Sequence, residues 1–156
     1  MKSGRSAATA KRAGEAGLDD VGTVGDLERR SDVIFALCPP AAAVEVARSV
    51  PGFAGIYVDA NAISPATART IAGFVGRYVD GGVGPPPRER DSTRFYLSGS
   101  EAPHVADLFA GTVVDARVVS EDIAAASAVK MTFAAWTKGT SALLLAIRAV
   151  ARAEGV

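Results

Sequence analysis

Lys130 stands in the run Ser127-Ala128-Val129-Lys130-Met131-Thr132-Phe133-Ala134. At about 100° per residue on a helix, Ser127, Ala134, Thr137 and Ser141 fall on the side of Lys130, whereas Val129, Phe133, Trp136 and Leu143 fall mostly elsewhere. The spacing predicts one cation in a shallow groove of small and hydroxylic residues. Lysine is a side chain that proton-transfer chemistry recruits, and such a groove could hold its amine against a bound molecule. The other reading is a solvated helix lysine, the ordinary setting of this residue. A second candidate lies in Asp59-Ala60-Asn61-Ala62-Ile63-Ser64-Pro65. Ser64 can cap a helix that begins at Pro65, which leaves the Asn61 amide to bind hydroxyl, carboxylate or amide groups. A third is Asp80-Gly81-Gly82-Val83-Gly84-Pro85-Pro86-Pro87, where glycines either let backbone approach a ligand closely or simply make turns. A fourth, Leu37-Cys38-Pro39-Pro40, closes an apolar run and reads either as a ligand-facing rim or as a strand-to-helix corner.

Several chemistries are disfavoured. His104 is the one histidine and Cys38 the one cysteine, so a structural zinc site, a serine-hydrolase triad and an intramolecular disulfide are not expected. No G-x-G-x-x-G follows an apolar strand, so the dinucleotide fingerprint is missing. Lysine plus arginine number 17 and aspartate plus glutamate number 17, and this balance gives no global field toward nucleic acid or an anionic membrane. Neither a signal peptide nor a membrane span is expected, and the cytoplasm is the default compartment.

These candidates need elements to position them. With 156 residues, 49% of them hydrophobic, the chain is long enough for one domain with a real core. Ser6 to Ala16 is rich in helix formers and Gly17 stands where a helix-terminating glycine would. Asp26 could cap a short helix over Leu27 to Arg30. Asp32 to Cys38 is a continuous apolar run, the mark of a strand buried on both faces. Helix is predicted over Ala41 to Val50, strand over Gly55 to Asp59, helix over Pro65 to Val75 and strand over Arg77 to Asp80. Beyond the glycine-proline loop come a strand at Thr93 to Leu97, a helix at Ala102 to Phe109 and a strand at Thr112 to Val119. This alternation predicts βαβ units and a mostly parallel sheet covered on both sides. From Asp122 one long helix follows, with a kink expected near Gly139. About 30 helical residues span about 45 Å, more than a small α/β domain needs, so this helix should project and its apolar side chains need a partner.

The order of these segments resembles the β-hydroxyacid dehydrogenase group, the 6-phosphogluconate dehydrogenase-like NAD(P)-dependent oxidoreductases, over nearly the whole chain. Residues 59–65 look like that family's substrate loop, and Val79-Asp80-Gly81-Gly82-Val83-Gly84 resembles the segment before its serine-glycine-glycine substrate site. Lys130 falls where the family's catalytic lysine lies, and Gly4-Arg5-Ser6 looks like the end of its second strand, where an arginine followed by serine or threonine meets the 2′-phosphate of NADP. The resemblance implies an incomplete Rossmann-like, doubly wound domain over residues 1–121, without the first strand and glycine-rich loop. A long helix at 122–156 would open a helical second domain, in a chain shortened at both ends. It implies Lys130 as general acid/base and Asn61, Gly81 and Gly82 at the substrate. Arg5, Ser6, Leu37, Cys38 and Pro39 would meet the cofactor, NADP or else NAD. A small-molecule substrate and a homodimer formed through the C-terminal helix complete what the resemblance implies. Ala124 and Ala126 replace glycines of the family, Ala134 replaces its asparagine, and Gly84-Pro85-Pro86 replaces the serine-glycine-glycine, which points to a divergent subgroup. Two alternatives stay open: an inactive fragment or helix-mediated association module, and an imine reductase-like enzyme.

Overall fold

A computed structural model describes residues 6–84 and 93–156. Five strands form one sheet in the order β1 (Val33–Ala36), β2 (Ile56–Asp59), β3 (Arg77–Val83), β4 (Thr93–Ser98), β5 (Val114–Ser120). The first three pair in parallel, β4 runs antiparallel to β3, and β5 is parallel to β4. The sheet is thus mostly parallel, as expected of a Rossmann-like α/β fold, and the reversal at β4 follows from the connection. Only residues 84–92 separate β3 from β4, too few for the helical crossover of about a dozen residues or more that a parallel return requires.

The helices are α1 (Ala7–Glu15), α2 (Val24–Arg30), α3 (Ala43–Arg48), α4 (Pro65–Ala72), α5 (Ala102–Asp107) and α6 (Ala125–Ala153). Local chemistry sets most of their ends. Ser6 caps α1 by accepting from the Thr9 N–H at 3.3 Å, and Gly17 just beyond it adopts φ +70°. Ser64 caps α4 through the Thr67 N–H at 3.1 Å with Pro65 in the first position. The α2 cap differs from the expected Asp26: Thr23 Oγ1 accepts the Asp26 N–H at 3.1 Å and donates to the Asp26 carboxylate at 2.6 Å. Threonine has the non-helical backbone a cap needs, and Asp26 serves inside the first turn, where a negative charge suits the helix dipole. The helix expected from Ala41 begins as a 3₁₀ turn at Pro40–Ala42 before α3. α6 runs unbroken through Gly139 for 29 residues.

Alternation along the central strands divides the core. On one face Ile34, Ala36, Tyr57 and Tyr78 pack against Ala43 and Ala47 of α3, Ala68 and Ile71 of α4, and Ala124 at the start of α6. On the other, Ile56, Val58, Val79 and Leu97 meet Ala102 and Val105 of α5. Phe35, Phe95 and Phe109 add edge-to-face and tilted contacts there, with ring centroids 5.6 to 6.5 Å apart. Leu97 is fully buried in this layer. Leu97→Ala is expected to destabilise the fold by about 2–5 kcal/mol, the usual cost of such a truncation, measured by urea denaturation; a loss within error of zero would remove Leu97 from the core.

Candidate functional site

β1 and β2 end in register at Ala36 and Asp59, beside Asp80 of β3, which runs on to Val83, and the first turns of α6 lie against this end of β3. The sequence repeats Tyr-Val-Asp at 57–59 and 78–80, and the two triplets sit in register: Tyr57 opposite Tyr78, Val58 opposite Val79, Asp59 opposite Asp80. Because side chains alternate along a strand, both tyrosines and both aspartates face the α3, α4 and α6 side. Asp59, Asp80 and Tyr57 are essentially inaccessible to solvent.

Each aspartate serves a different loop. Asp59 Oδ1 accepts the Asn61 N–H at 2.9 Å, and Asn61 Oδ1 in turn accepts the Cys38 N–H at 2.7 Å. Asn61 thereby ties the β2 rim to the β1 rim, so its carbonyl is committed. Among the described residues its buried Nδ2 has no hydrogen-bond partner, and neither have Asp59 Oδ2 and the Tyr57 and Tyr78 hydroxyls. Asp80 instead holds α6. Its carboxylate accepts the Ser127 N–H and the Ser127 hydroxyl, each at 2.6 Å, and the Ser98 hydroxyl at 3.5 Å. Ser98 Oγ also accepts the Ala126 N–H at 2.9 Å.

Lys130 Nζ donates to the Val83 carbonyl at 2.6 Å, so the amine stands at the rim where β3 ends. Lys130 is half-buried, and Ala134 and Thr137 share that half-buried line along α6. The hydroxyls expected to line a polar groove are used otherwise. Ser127 points inward to Asp80, while Thr137 and Ser141 bond back to the Phe133 and Thr137 carbonyls of their own helix at 2.9 Å.

The glycines have packing reasons. A Cβ on Gly81 would lie 2.7 Å from the Phe95 ring and 2.8 Å from the Asp59 carbonyl oxygen. On Gly82 it would lie 3.1 Å from the Ala126 carbonyl oxygen and 3.3 Å from Lys130 Cβ, so Gly82 is what lets α6 come this close to β3. At the end of β1, Leu37 is 72% exposed, an apolar side chain offered at the rim, with half-buried Cys38 and exposed Pro39 beside it. Burial chiefly, then the Asp59 charge, pushes the Cys38 thiol up, and the Asn61 side chain opposes this. Ser6 bonds to Thr9 within α1, and Arg5 lies outside the described residues.

Sequence reasoning missed the brace that Asp80, Ser98 and Ser127 form. The Tyr-Val-Asp repeated in β2 and β3 was the available signal for the aspartates; nothing local marked Ser98. Among the described residues no group of three or more histidines, cysteines and acids is placed to hold a metal ion, and no helix is long and apolar enough to cross a membrane.

The fold has counterparts among solved structures. The conserved protein MTH1747, of unknown function and described as structurally similar to 3-hydroxyacid dehydrogenases, superposes with a TM-score of 0.79 at 31% identity, over 99% of this chain and 60% of its own. An imine reductase from Myxococcus stipitatus in complex with NADP+ superposes with a TM-score of 0.69 at 28% identity, over 97% of this chain and 57% of its own. The V8 variant of that enzyme, in complex with NAD+, gives a TM-score of 0.73 at 25% identity, over 96% and 56%. Its structural neighbours are 3-hydroxyacid dehydrogenase-like proteins and imine reductases. An uncharacterised 28.5 kDa protein from the 7S RNA 5′ region of Methanothermus fervidus is 29% identical over 154 residues, 98% of this chain and 61% of that one. The chain therefore spans about three-fifths of the length of these relatives. No family model matches it.

The two buried carboxyl groups make a testable electrostatic statement. Desolvation, the largest influence on each, pushes both up from the ordinary value of 3.8; Asn61 pulls Asp59 down and Ser127 pulls Asp80 down, while the Asp59 charge raises Asp80 further. The folded chain therefore holds these protons more tightly than the unfolded chain does. Their penalty is absent below 3.8, grows as pH rises through the raised folded values, and persists above them. Asp59→Asn keeps an acceptor for the Asn61 N–H and removes one of the two charges. Unfolding free energy should then depend less steeply on pH above 4 than in the parent chain; an unchanged or steeper slope in denaturant titrations across about pH 4 to 8 would contradict this assignment.

Proposed function

We propose that the protein is an NAD(P)-dependent oxidoreductase acting on a small hydroxyl or carbonyl substrate, with Lys130 as its general acid/base. The observation that carries the reading is the Lys130 amine standing at the rim of a Rossmann-like sheet, bonded to the last carbonyl of β3, with the stem of its side chain packed against Gly82. In open α/β sheets this carboxyl-end rim is where ligands bind. When bound, a nicotinamide dinucleotide supplies the two-electron acceptor or donor that the side chains of this chain lack.

The residues present suit the nicotinamide end of such a molecule. Asn61 offers a buried amide N–H₂ with no acceptor among the described residues, fit to meet a hydroxyl or carbonyl oxygen. Leu37, Cys38 and Pro39 offer an exposed, partly apolar turn at the end of β1. The backbone at Gly81 and Gly82 borders the substrate side, and Arg5 with Ser6 would meet a 2′-phosphate, for which the guanidinium fork is well shaped. NADP is then the preferred form and NAD the alternative. Lys130 Nζ exchanges the substrate hydroxyl proton: it takes that proton when an alcohol is oxidised and returns it when a carbonyl is reduced. Residues 1–121 form the nucleotide-binding unit and 122–156 the helix that leaves it.

Two other readings have their own support. Imine reduction is favoured by the 28% identical imine reductase among the neighbours. An association module without activity is favoured by the absence of a glycine-rich turn after any apolar strand of this sequence.

Association itself has a structural basis. Val129, Phe133 and Trp136 line a shallow apolar groove of about 500 Å³ with Ala128 and Thr132. Farther along α6, Leu143, Leu144, Leu145, Ile147 and Val150 are each more than half exposed. Exposed apolar surface of this kind marks interaction sites, and a second copy of the chain meeting it helix to helix would bury it. Replacing Phe133 and Trp136 together by glutamate should convert a dimer to a monomer in sedimentation velocity; a monomeric parent chain would end the homodimer proposal.

Titration with NADPH, followed by nicotinamide fluorescence, should saturate in the micromolar range if the chain is a cofactor-binding enzyme, whereas no binding favours the association module. Ketone and imine panels then separate dehydrogenase from imine reductase. Lys130→Met should lower turnover by at least a hundredfold, the scale of a lost general acid/base, while the NADPH dissociation constant stays within about threefold. Equal loss of binding and turnover would exclude a specific proton-transfer role.

A further inference from the structure

The start of α6 is only partly capped by its own neighbours. Asp122 takes the Ala124 N–H with its side chain at 3.1 Å and the Ala125 N–H with its carbonyl at 3.0 Å, but the N-cap residue Ala124 has no side-chain acceptor, so the next N–H groups of a 29-residue helix need partners from elsewhere. The sheet supplies them. Ser98 of β4 takes the Ala126 N–H and Asp80 of β3 takes the Ser127 N–H, in a region where Ser98 and Asp80 are fully buried. Asp80 also takes the Ser127 hydroxyl with its other oxygen. A carboxyl group that grips a backbone N–H along the helix axis and a side chain pointing away from that axis fixes the helix both in height and in rotation.

Lys130 follows Ser127 by three residues and so projects from the same side. Val83, its partner, follows Asp80 by three residues on β3. Strand and helix are therefore joined twice, Asp80 to Ser127 and Val83 to Lys130, with the same separation of 47 residues each time. Between the two ties lies Gly82, whose missing side chain allows the close approach. We propose that Asp80 is the positioning residue for Lys130: by gripping Ser127 it docks α6 on β3 and sets where the Lys130 amine stands. This rests on the reading of Lys130 as the proton-transfer group, but the positioning itself is measurable without turnover.

Asp59 is a built-in comparison. It is as buried as Asp80, sits opposite it in register, and bonds to Asn61 instead of to α6. The experiment is trace acetylation of the folded chain with acetic anhydride, read by mass spectrometry as the labelling rate of Lys130 relative to Lys138, an exposed lysine on the same helix. In the parent chain Lys130 should label more slowly than Lys138, because its amine is engaged with Val83. Asp80→Ala should raise the Lys130 to Lys138 ratio at least threefold. Asp80→Asn, which keeps an acceptor for the Ser127 N–H and can donate to the Ser127 hydroxyl, should return the ratio to within twofold of the parent. Asp59→Asn should leave it there. If thermal melts show Asp80→Ala unfolded, Ser127→Ala removes only the hydroxyl tie and should raise the ratio in the same direction. The proposal is overturned by a folded Asp80→Ala or Ser127→Ala chain with the parent ratio, or by an Asp59→Asn chain that matches the Asp80→Ala rise. Because no cofactor or substrate enters this readout, a positive result with no NADPH turnover would retire the catalytic reading alone, and turnover with an unmoved ratio would retire the positioning alone.

Discussion

The contact on which the arrangement turns is the carboxyl group of Asp80 against the first turn of α6. A helix end is a set of N–H groups without partners, and burying it unpaired would cost about 1–3 kcal/mol for each group. Here Asp80 and Ser98 reach from adjacent strands, β3 and β4, to the second and third helical residues, Ala126 and Ser127. Two consequences follow at once. The helix cannot slide along the sheet without breaking these bonds, and the amine one turn later arrives beside the last carbonyl of β3. A locally capped helix would be equally stable in itself but would carry no information about where to sit on the sheet.

Holding a carboxyl group in such a place has an electrostatic cost, which the two aspartates meet differently. Asp80 gathers three donors, two of them at 2.6 Å, whereas among the described residues one oxygen of Asp59 has no partner. Burial pushes both tyrosine hydroxyls up as well, with the neighbouring aspartate charges adding to it. The strand pair therefore carries a polar strip, Tyr57 and Tyr78 followed by Asp59 and Asp80, on the face where α3, α4 and α6 meet. That strip ends at the rim, where Asn61 and Lys130 are. An interior that accepts such strain next to its candidate site is consistent with positions retained for geometry more than for stability.

Much of this was legible from residue order. The apolar run from Asp32 to Cys38 read as a strand buried on both faces and holds β1, which is buried at alternate residues; Gly55 to Asp59 read as a strand and holds β2, and Ser64-Pro65 read as a helix start, because burial and capping leave marks within a few residues. The antiparallel step at β4 was less visible, since it depends on the shortness of a loop whose glycines and prolines read equally well as a turn or a ligand loop. The Asp80 brace was hidden for a more basic reason. Its members are separated by 18 and 47 positions, and no local rule ties a strand serine or a strand aspartate to a helix whose N-cap residue is an alanine. Ala124 was in view as a substituted position, but a missing local cap points to a distant one only once the sheet is assembled. The hydroxyls of Thr137 and Ser141 erred in the opposite direction: helical spacing placed them beside Lys130, but a hydroxyl in a helix can satisfy itself on the carbonyl four residues back.

α6 thus does two unlike jobs along one axis. Its first turns are small and polar toward the sheet, with Ala126 and Ser127 buried and Lys130 at the rim. Past Gly139 the exposed residues include three consecutive leucines, 143 to 145, which at about 100° per residue cannot all point one way. A helix apolar over so wide an arc does not cover one flat surface. Since Asp80 and Ser98 fix the near end to the sheet, any helix that packs on the far end is held in a set relation to Lys130 and the rim. The same rigid element that places the amine would then also carry the other wall of the site.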